Sequence, residues 1–301
     1  MQELMTLDEA AVRQLLRMDE VIAAMETALA AFSRGQVVQP VRTIVPVAAH
    51  QGFLGVMPAY AGALGVKLVS FYPHNVGLPT HLATILLFRP ETGELLVTMD
   101  GRLITEMRTA AVSAVATRYL ARPDAAVLAI LGSGVQAHSH LEALRLVRTF
   151  RDVRVWSPRN AQAFAQEHQV RAVASAQEAV EGADVIVLAT AATTPVLEGA
   201  WLAPGAHINA VGATRPDWRE LDDVTMQRAR LYVDSREAAL LESGDVIAAD
   251  QVFAEIGEVI AGSKHGRASA TEITLFKSVG LAVEDVATAD LVYRKALAEQ
   301  V

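Results

Sequence analysis

The sequence predicts an α/β protein: a Rossmann-type doubly wound parallel sheet joined to a second, α+β domain. Three observations predict it. An apolar run, Ala125–Leu131, leads straight into Gly132-Ser133-Gly134-Val135-Gln136-Ala137 and then into a helical pattern. Strand-like and helix-like segments alternate from there to Asp234, as in a parallel sheet. About 120 residues precede the glycine turn, enough for a domain of their own.

Residues 7–34 read as an amphipathic helix capped by Thr6 or Asp8, with apolar residues at Val12, Leu15, Leu16, Ile22, Met25, Leu29 and Phe32. Val41–Val47, Gly52–Met57, Val66–Tyr72, His81–Phe88 and Leu95–Met99 are short apolar runs cut by Pro, Gly and Asn, which predicts an antiparallel or mixed sheet. Phe88-Arg89-Pro90-Glu91-Thr92-Gly93-Glu94 is a hairpin turn. Residues 102–121 return to a helical period. After Pro123 come the strand into the glycine turn, a second strand Asp152–Trp156, a helix Asn160–His168, a short strand Val170–Val173 and a helix Ala176–Glu181. Asp184–Thr190, Ala206–Val211 and Leu231–Asp234 read as further strands. A last amphipathic helix, Val283–Gln300, is expected to pack back on the first domain.

The glycine turn has a physical logic at each position. Gly132 lets the chain turn sharply, Gly134 lets backbone approach a pyrophosphate, and Ala137 permits close helix–strand packing. Unpaired N–H groups at the following helix start then face an anion. An acidic residue at the tip of the second strand would bind the ribose 2′-OH of NAD. None stands after Trp156, where Ser157, Arg159 and Asn160 offer donors suited to a 2′-phosphate, so NADPH is expected rather than NADH.

Composition excludes several classes. The 301 residues are 52% hydrophobic and 20% charged, ample for a large core. The formal net charge of −8 and the absence of any basic run argue against nucleic acid. With no cysteine there is no disulfide and no thiolate nucleophile or metal ligand. The first residues lack a signal peptide's basic start and apolar run, and no apolar stretch is long enough to span a membrane, so the expected location is the cytoplasm.

The first domain holds three cations in unusual surroundings. Lys67 lies in the apolar run Gly65-Val66-Lys67-Leu68-Val69 and is the only lysine in the first 263 residues. Burying an ammonium is costly unless it is paired, and such a lysine gives up its proton more readily, which suits a general acid or base. Arg42 and Arg108 can clamp a carboxylate bidentately. His81 begins an apolar strand within reach of a site. His138 and His140 follow the glycine turn on a helix with no third ligand at metal spacing; they read as helix-surface residues, and no metal is expected. No hydrolase or NTPase motif occurs.

At these residues the chain resembles the ornithine cyclodeaminase/mu-crystallin family nearly end to end, most closely its mu-crystallin, or ketimine reductase, branch. The resemblance is carried by Gln39-Pro40-Val41-Arg42-Thr43, Gly55-Val56-Met57-Pro58-Ala59-Tyr60, Met99-Asp100-Gly101, Arg108-Thr109-Ala110-Ala111-Val112-Ser113-Ala114 and the glycine turn. Its most specific stretch runs from Ala206-His207-Ile208-Asn209 through Arg215-Pro216-Asp217-Trp218-Arg219-Glu220-Leu221-Asp222-Asp223, with Tyr232-Val233-Asp234-Ser235 and Glu242-Ser243-Gly244-Asp245.

The resemblance implies a homodimer with a substrate domain built from both chain ends, 1–118 with 279–301, and a dinucleotide domain, 119–278, between them. It implies that Arg42, Lys67 and Arg108 hold the substrate carboxylate, with Lys67 near the reacting nitrogen and Glu242 near the bound ligand. It assigns Thr80, His81, Arg108, Thr109, Gly132, Gly134, Val135, Gln136, Ser157, Arg159, Asn160, Thr190, Val211 and Ser278 to the cofactor. One departure matters: where cyclodeaminases and related alanine dehydrogenases carry a basic aspartate, this chain has Thr214. The expected activity is therefore NAD(P)H-dependent reduction of imines of 2-oxo acids, cyclic ketimines such as piperideine- and pyrroline-2-carboxylate, to L-amino acids. The alternatives are an amino-acid dehydrogenase or reductive aminase, an ornithine cyclodeaminase, or a non-catalytic small-ligand-binding protein.

Overall fold

Short strand-like apolar runs between residues 41 and 100 and solid apolar blocks after residue 125 give two different sheets. The computed structural model describes residues 4–249 and 251–299. The chain begins with β1 (Met5–Leu7), α1 (Glu9–Leu15) and α2 (Met18–Ser33), followed by β2 (Thr43–Val47), β3 (Gly52–Ala61), β4 (Ala63–Phe71), β5 (His81–Phe88) and β6 (Leu95–Asp100). Helix α3 (Arg102–Leu120) leads to β7 (Val127–Leu131), α4 (Val135–Arg145), β8 (Asp152–Trp156), α5 (Ala161–His168), β9 (Arg171–Ala172), α6 (Ala176–Val180) and β10 (Val185–Leu188). Then come β11 (His207–Ala210), α7 (Asp223–Arg228), β12 (Ala229–Val233), α8 (Arg236–Glu242), α9 (Gly244–Ala249), β13 (Ala254–Glu255), α10 (Ile256–Ile260), β14 (Ile273–Lys277) and α11 (Ala282–Glu299). Gln300, where the sequence would end this last helix, lies outside the described residues.

The chain divides into two units, residues 1–108 with 281–301 and residues 109–280. The division falls inside α3, where the helical period of the sequence gives no signal, rather than at residue 118.

In the first unit six strands are ordered β1-β6-β5-β4-β3-β2, antiparallel except for the β1–β6 pair. The short β1 is absent from the sequence reading. Met57, Ala59, Lys67, Ile85, Leu87, Val97 and Met99 are buried, and α11 packs on β3, β4 and β5 as well as on α2. Gly65 makes this approach possible: a Cβ there would lie 2.7 Å from the Leu87 side chain and 3.1 Å from that of Val286 on α11. The expected single leading helix is two. Asp8 caps α1 by accepting from the Ala11 amide at 2.9 Å, and Leu16 and Arg17 are extended before α2 restarts. A continuous helix sets neighbours about 100° apart, so the break lets Leu15 and Leu16 both be buried.

In the second unit eight parallel strands run β13-β12-β14-β11-β10-β7-β8-β9. Strand order reverses between β7 and β10, the switch point where such sheets bind ligands beyond the strands' carboxyl ends. β13 and β14 escaped the sequence reading. β14 is a five-residue strand inserted between β11 and β12.

Candidate functional site

In the first unit Lys67 sits on β4 opposite Met57 of β3 and Ile85 of β5. All three are at most 2% exposed. The ammonium meets a carboxylate from the far end of the chain: Lys67 Nζ lies 2.5 Å from Asp285 Oδ2 in the first turn of α11. Asp285 Oδ1 accepts from Arg108 Nε at 3.0 Å, and Glu284 Oε2 accepts from Arg108 Nη1 at 2.9 Å. Arg108 is therefore anchored by two buried carboxylates. Burial pulls the Lys67 pKa down from 10.5 to about 8, with Arg108 and Arg42 pulling the same way against Asp285. Burial alone would raise the Asp285 pKa, but the Arg108 and Lys67 charges outweigh it and hold it below 3.8.

Arg42 is half-buried just before β2 begins at Thr43. Gln39, from the same motif, braces the fold, because its Oε1 accepts the Val283 amide at 2.8 Å at the start of α11. Thr80 and His81 are exposed at the head of β5, with the Thr80 hydroxyl 3.2 Å from His81 Nδ1. The His81 ring packs on Phe71 at 4.6 Å. This desolvation, then the Lys67 charge, lowers its pKa. Asp285 and Glu284 are the functional residues that sequence reasoning missed here. A first-turn acidic pair usually only complements the helix dipole, and nothing local marks it as buried.

In the second unit Gly132 has φ +119°, and a Cβ there would lie 2.2 Å from the Ala189 carbonyl oxygen. Only glycine fits the crossing from β7 beside the chain leaving β10. Gly134 is the N-cap of α4 with no side-chain cap, and a Cβ there would meet nothing within 4 Å. An uncapped helix start under an open glycine is the cradle that a pyrophosphate requires, so the residues fit a dinucleotide. Val135 and Gln136 open α4. Beyond β8, Ser157 Oγ lies 2.8 Å from Ser133 Oγ and accepts the Asn160 amide at 3.2 Å, which shapes the loop that exposes Arg159 and Asn160. No acid stands at that strand tip.

Thr190 and Val211 follow β10 and β11, and beneath them lies an acidic floor that the sequence did not disclose. Glu220, fully buried, accepts from the Thr190 amide at 3.1 Å and from its hydroxyl at 2.5 Å. Burial raises the Glu220 pKa. Its carboxylate fills the space beside Gly212, where a Cβ would come within 2.4 Å of Oε1. Lys277 Nζ donates to the Gly212 carbonyl and lies 3.3 Å from Asp245 Oδ2. Asp245 Oδ1 in turn accepts from the Glu220 and Leu221 amides, each at 3.1 Å. The buried Asp234 holds Ser278 through its hydroxyl at 2.9 Å. Glu242 ends α8, half-buried, and Thr109 is buried near the start of the unit. Ala213 adopts φ +49°, a conformation that strains a non-glycine residue, next to the exposed Thr214.

The histidines differ from expectation. His140 is fully buried, not on the helix surface: its ring nitrogens lie 2.9 Å from Ser113 Oγ and 2.7 Å from the Gln136 carbonyl oxygen. His138 is not isolated, because His168 of α5 brings Nε2 to 2.6 Å from its Nδ1. His207 is also fully buried against Thr274 and Asn209. There burial lowers its pKa to about 3, and Asn209 continues the network to Thr117 Oγ1 at 2.9 Å. The His207–Asn209 motif is thus internal scaffolding.

Residues 2–300 match the profile of the ornithine cyclodeaminase/mu-crystallin family. The chain belongs to that family. Its relatives there include the ketimine reductase mu-crystallin of Mus musculus, 56% identical over 286 residues and 91% of each chain. Among solved structures, the Δ1-pyrroline-2-carboxylate reductase of Thermococcus litoralis in complex with NADH and L-proline is 44% identical, with a TM-score of 0.94 over 99% of each chain. An archaeal alanine dehydrogenase dimer with bound NAD is 37% identical, with a TM-score of 0.94 over 99% of this chain and 97% of that one. No helix among the described residues is long and apolar enough to cross a membrane.

Proposed function

We propose that this chain is an NAD(P)H-dependent reductase that converts cyclic 2-imino carboxylates to L-amino acids. The observation that carries the reading is the buried Lys67 ammonium, held against Asp285 with its pKa brought to about 8. A bound nicotinamide supplies the hydride for the C=N carbon. The nitrogen needs a proton, and Lys67 is the group poised to give one near neutral pH. Arg42, Lys67 and Arg108 supply the cationic side chains that suit a substrate carboxylate. Arg42 and Arg108 orient that carboxylate, and Glu242 contacts the ligand. Gly132, Gly134, Val135 and Gln136 cradle the pyrophosphate; Thr80, His81, Thr109, Thr190, Val211 and Ser278 border the rest of the cofactor. Thr214 cannot take up a proton at neutral pH, which disfavours the ammonia-eliminating reaction of a cyclodeaminase.

The likeness to an alanine dehydrogenase favours a second reading, reductive amination of 2-oxo acids. Steady-state oxidation of NADPH and NADH separates the two. Turnover is expected with piperideine- or pyrroline-2-carboxylate, and efficient turnover only with pyruvate plus ammonia would replace the first reading by the second.

NADPH is the expected cofactor because Ser157, Arg159 and Asn160 take the place of an acid beyond β8. Losing one charge-assisted hydrogen bond costs about 1.5–3 kcal/mol, about ten- to a hundredfold in binding. Arg159→Ala is expected to weaken NADPH by that factor and leave NADH nearly unchanged in a fluorescence titration. Equal loss for both cofactors would contradict the assignment.

The homodimer is supported by the outer face of the first sheet. Val45 pairs with Leu54, Leu54 with Ser70, and Ser70 with Leu82, so one row across four strands presents three exposed large apolar side chains. Contiguous exposed apolar surface marks an interaction site. Light scattering is expected to give twice the chain mass at micromolar concentration, and Leu54→Glu to shift it to the monomer. A wild-type monomer at every concentration would remove the proposal.

A further inference from the structure

We propose that His138, His168 and Glu167 form a binding site for one divalent late-transition-metal ion, Zn2+ by its donor chemistry. His138 Nδ1 is 2.6 Å from His168 Nε2. Glu167 Oε1 lies 3.6 Å from the first nitrogen and 3.7 Å from the second. A triangle with these sides has its centre about 2 Å from every corner, which is the Zn–N and Zn–O bond length. An ion slightly out of that plane reaches all three atoms, and the two ring nitrogens, 2.6 Å apart, open outward to reach tetrahedral angles around it. Two imidazoles and one carboxylate suit Zn2+ and its neighbours, whereas Mg2+ and Ca2+ ask for oxygen ligands throughout.

The donors are held in place. The His138 and His168 rings pack on Phe164 with centroids 4.7 and 4.5 Å away, which limits their rotation. His168 is the last residue of α5, where the helix dipole favours a cation. Glu167 is exposed and both histidines are half-buried, so a fourth position is open to water. His140, two residues beyond His138, is turned to Ser113 and Gln136 and takes no part. The ligands come from two helices, His138 from α4 and the other two from α5, which is why no spacing in the sequence announces them. A bound ion would clamp α4 to α5.

The test uses the full chain freed of metal with a chelator and titrated with Zn2+ against a chromophoric competitor. One equivalent is expected to bind per chain, with a rise in melting temperature. Co2+ in its place should show the intense visible bands of a four-coordinate N/O site. His138→Gln and His168→Gln are each expected to weaken binding by about tenfold or more, since even supporting groups cost that much. His265→Gln, an exposed histidine outside the cluster, should bind as before. Glu167→Gln, on the surface, gives a milder loss without risk to folding. Absence of stoichiometric binding would mean that the two rings only share a proton, and undiminished binding in both histidine variants would place the ion elsewhere. Either result overturns the site and leaves the reductase reading standing.

Discussion

Lys67→Met is expected to slow reduction of a cyclic ketimine by about 10²–10⁴, the usual worth of a general acid, while NADPH affinity changes little. Methionine keeps the length and apolar stem that pack between Met57 and Ile85, so the fold should survive. Lys67→Arg separates charge from proton transfer. It keeps a cation beside Asp285 but cannot give up its proton, its pKa being above ~12, and it should be nearly as slow. The wild-type pH profile follows from the lowered pKa. Only the ammonium can donate, so kcat/KM should fall as pH rises through about 8; a lysine at its ordinary 10.5 would hold the plateau far higher. Retention of most turnover by Lys67→Met would transfer the proton's source to His81 or to water.

The parts of this protein that could be read from sequence are those whose meaning is local. The glycine turn is legible because strand, turn and helix are covalent neighbours, and each small residue has one steric reason to be there. Lys67 is legible because a lone lysine in an apolar strand has to be buried or misplaced. Its counter-ion is not, because Asp285 reaches it only when α11 returns to the sheet, and an acid in a helix's first turn already has an ordinary explanation. Glu220 and Lys277 are hidden for the same reason: their partners Thr190, Gly212 and Asp245 come from separate crossovers. The histidine pair on α4 and α5 shows the limit most directly. Counting along the chain stops at His138 and His140, and the fold brings His168 to His138 across a helix interface. The strands β1, β13 and β14 gain their identity from the neighbours that they pair with.

Asp285→Asn should be the most destabilising single substitution in the first unit. It removes a carboxylate shared by two buried cations, Lys67 and Arg108. Breaking a buried pair by deleting one partner typically costs about 3–5 kcal/mol, because the remaining charge stays uncompensated in a medium of low dielectric. Asparagine preserves the shape, so the loss reports charge rather than a cavity. The urea midpoint should drop accordingly, and added salt should alter the difference little, since buried pairs are poorly screened. The pH dependence has a definite sign. Arg108 and Lys67 hold the Asp285 pKa below 3.8 despite burial, so its contribution is present above that value and is lost as pH falls through the lowered one. A double variant, Lys67→Met with Asp285→Asn, removes one charge of each sign and should regain part of the stability that Asp285→Asn loses, the signature of direct coupling. Additive losses, or an Asp285→Asn protein within about 0.5 kcal/mol of wild type, would show that the ammonium is neutral in the folded protein. The general acid would then be charged only on meeting an anionic substrate, and Lys67→Met would still be slow while the pH limb above 8 disappeared.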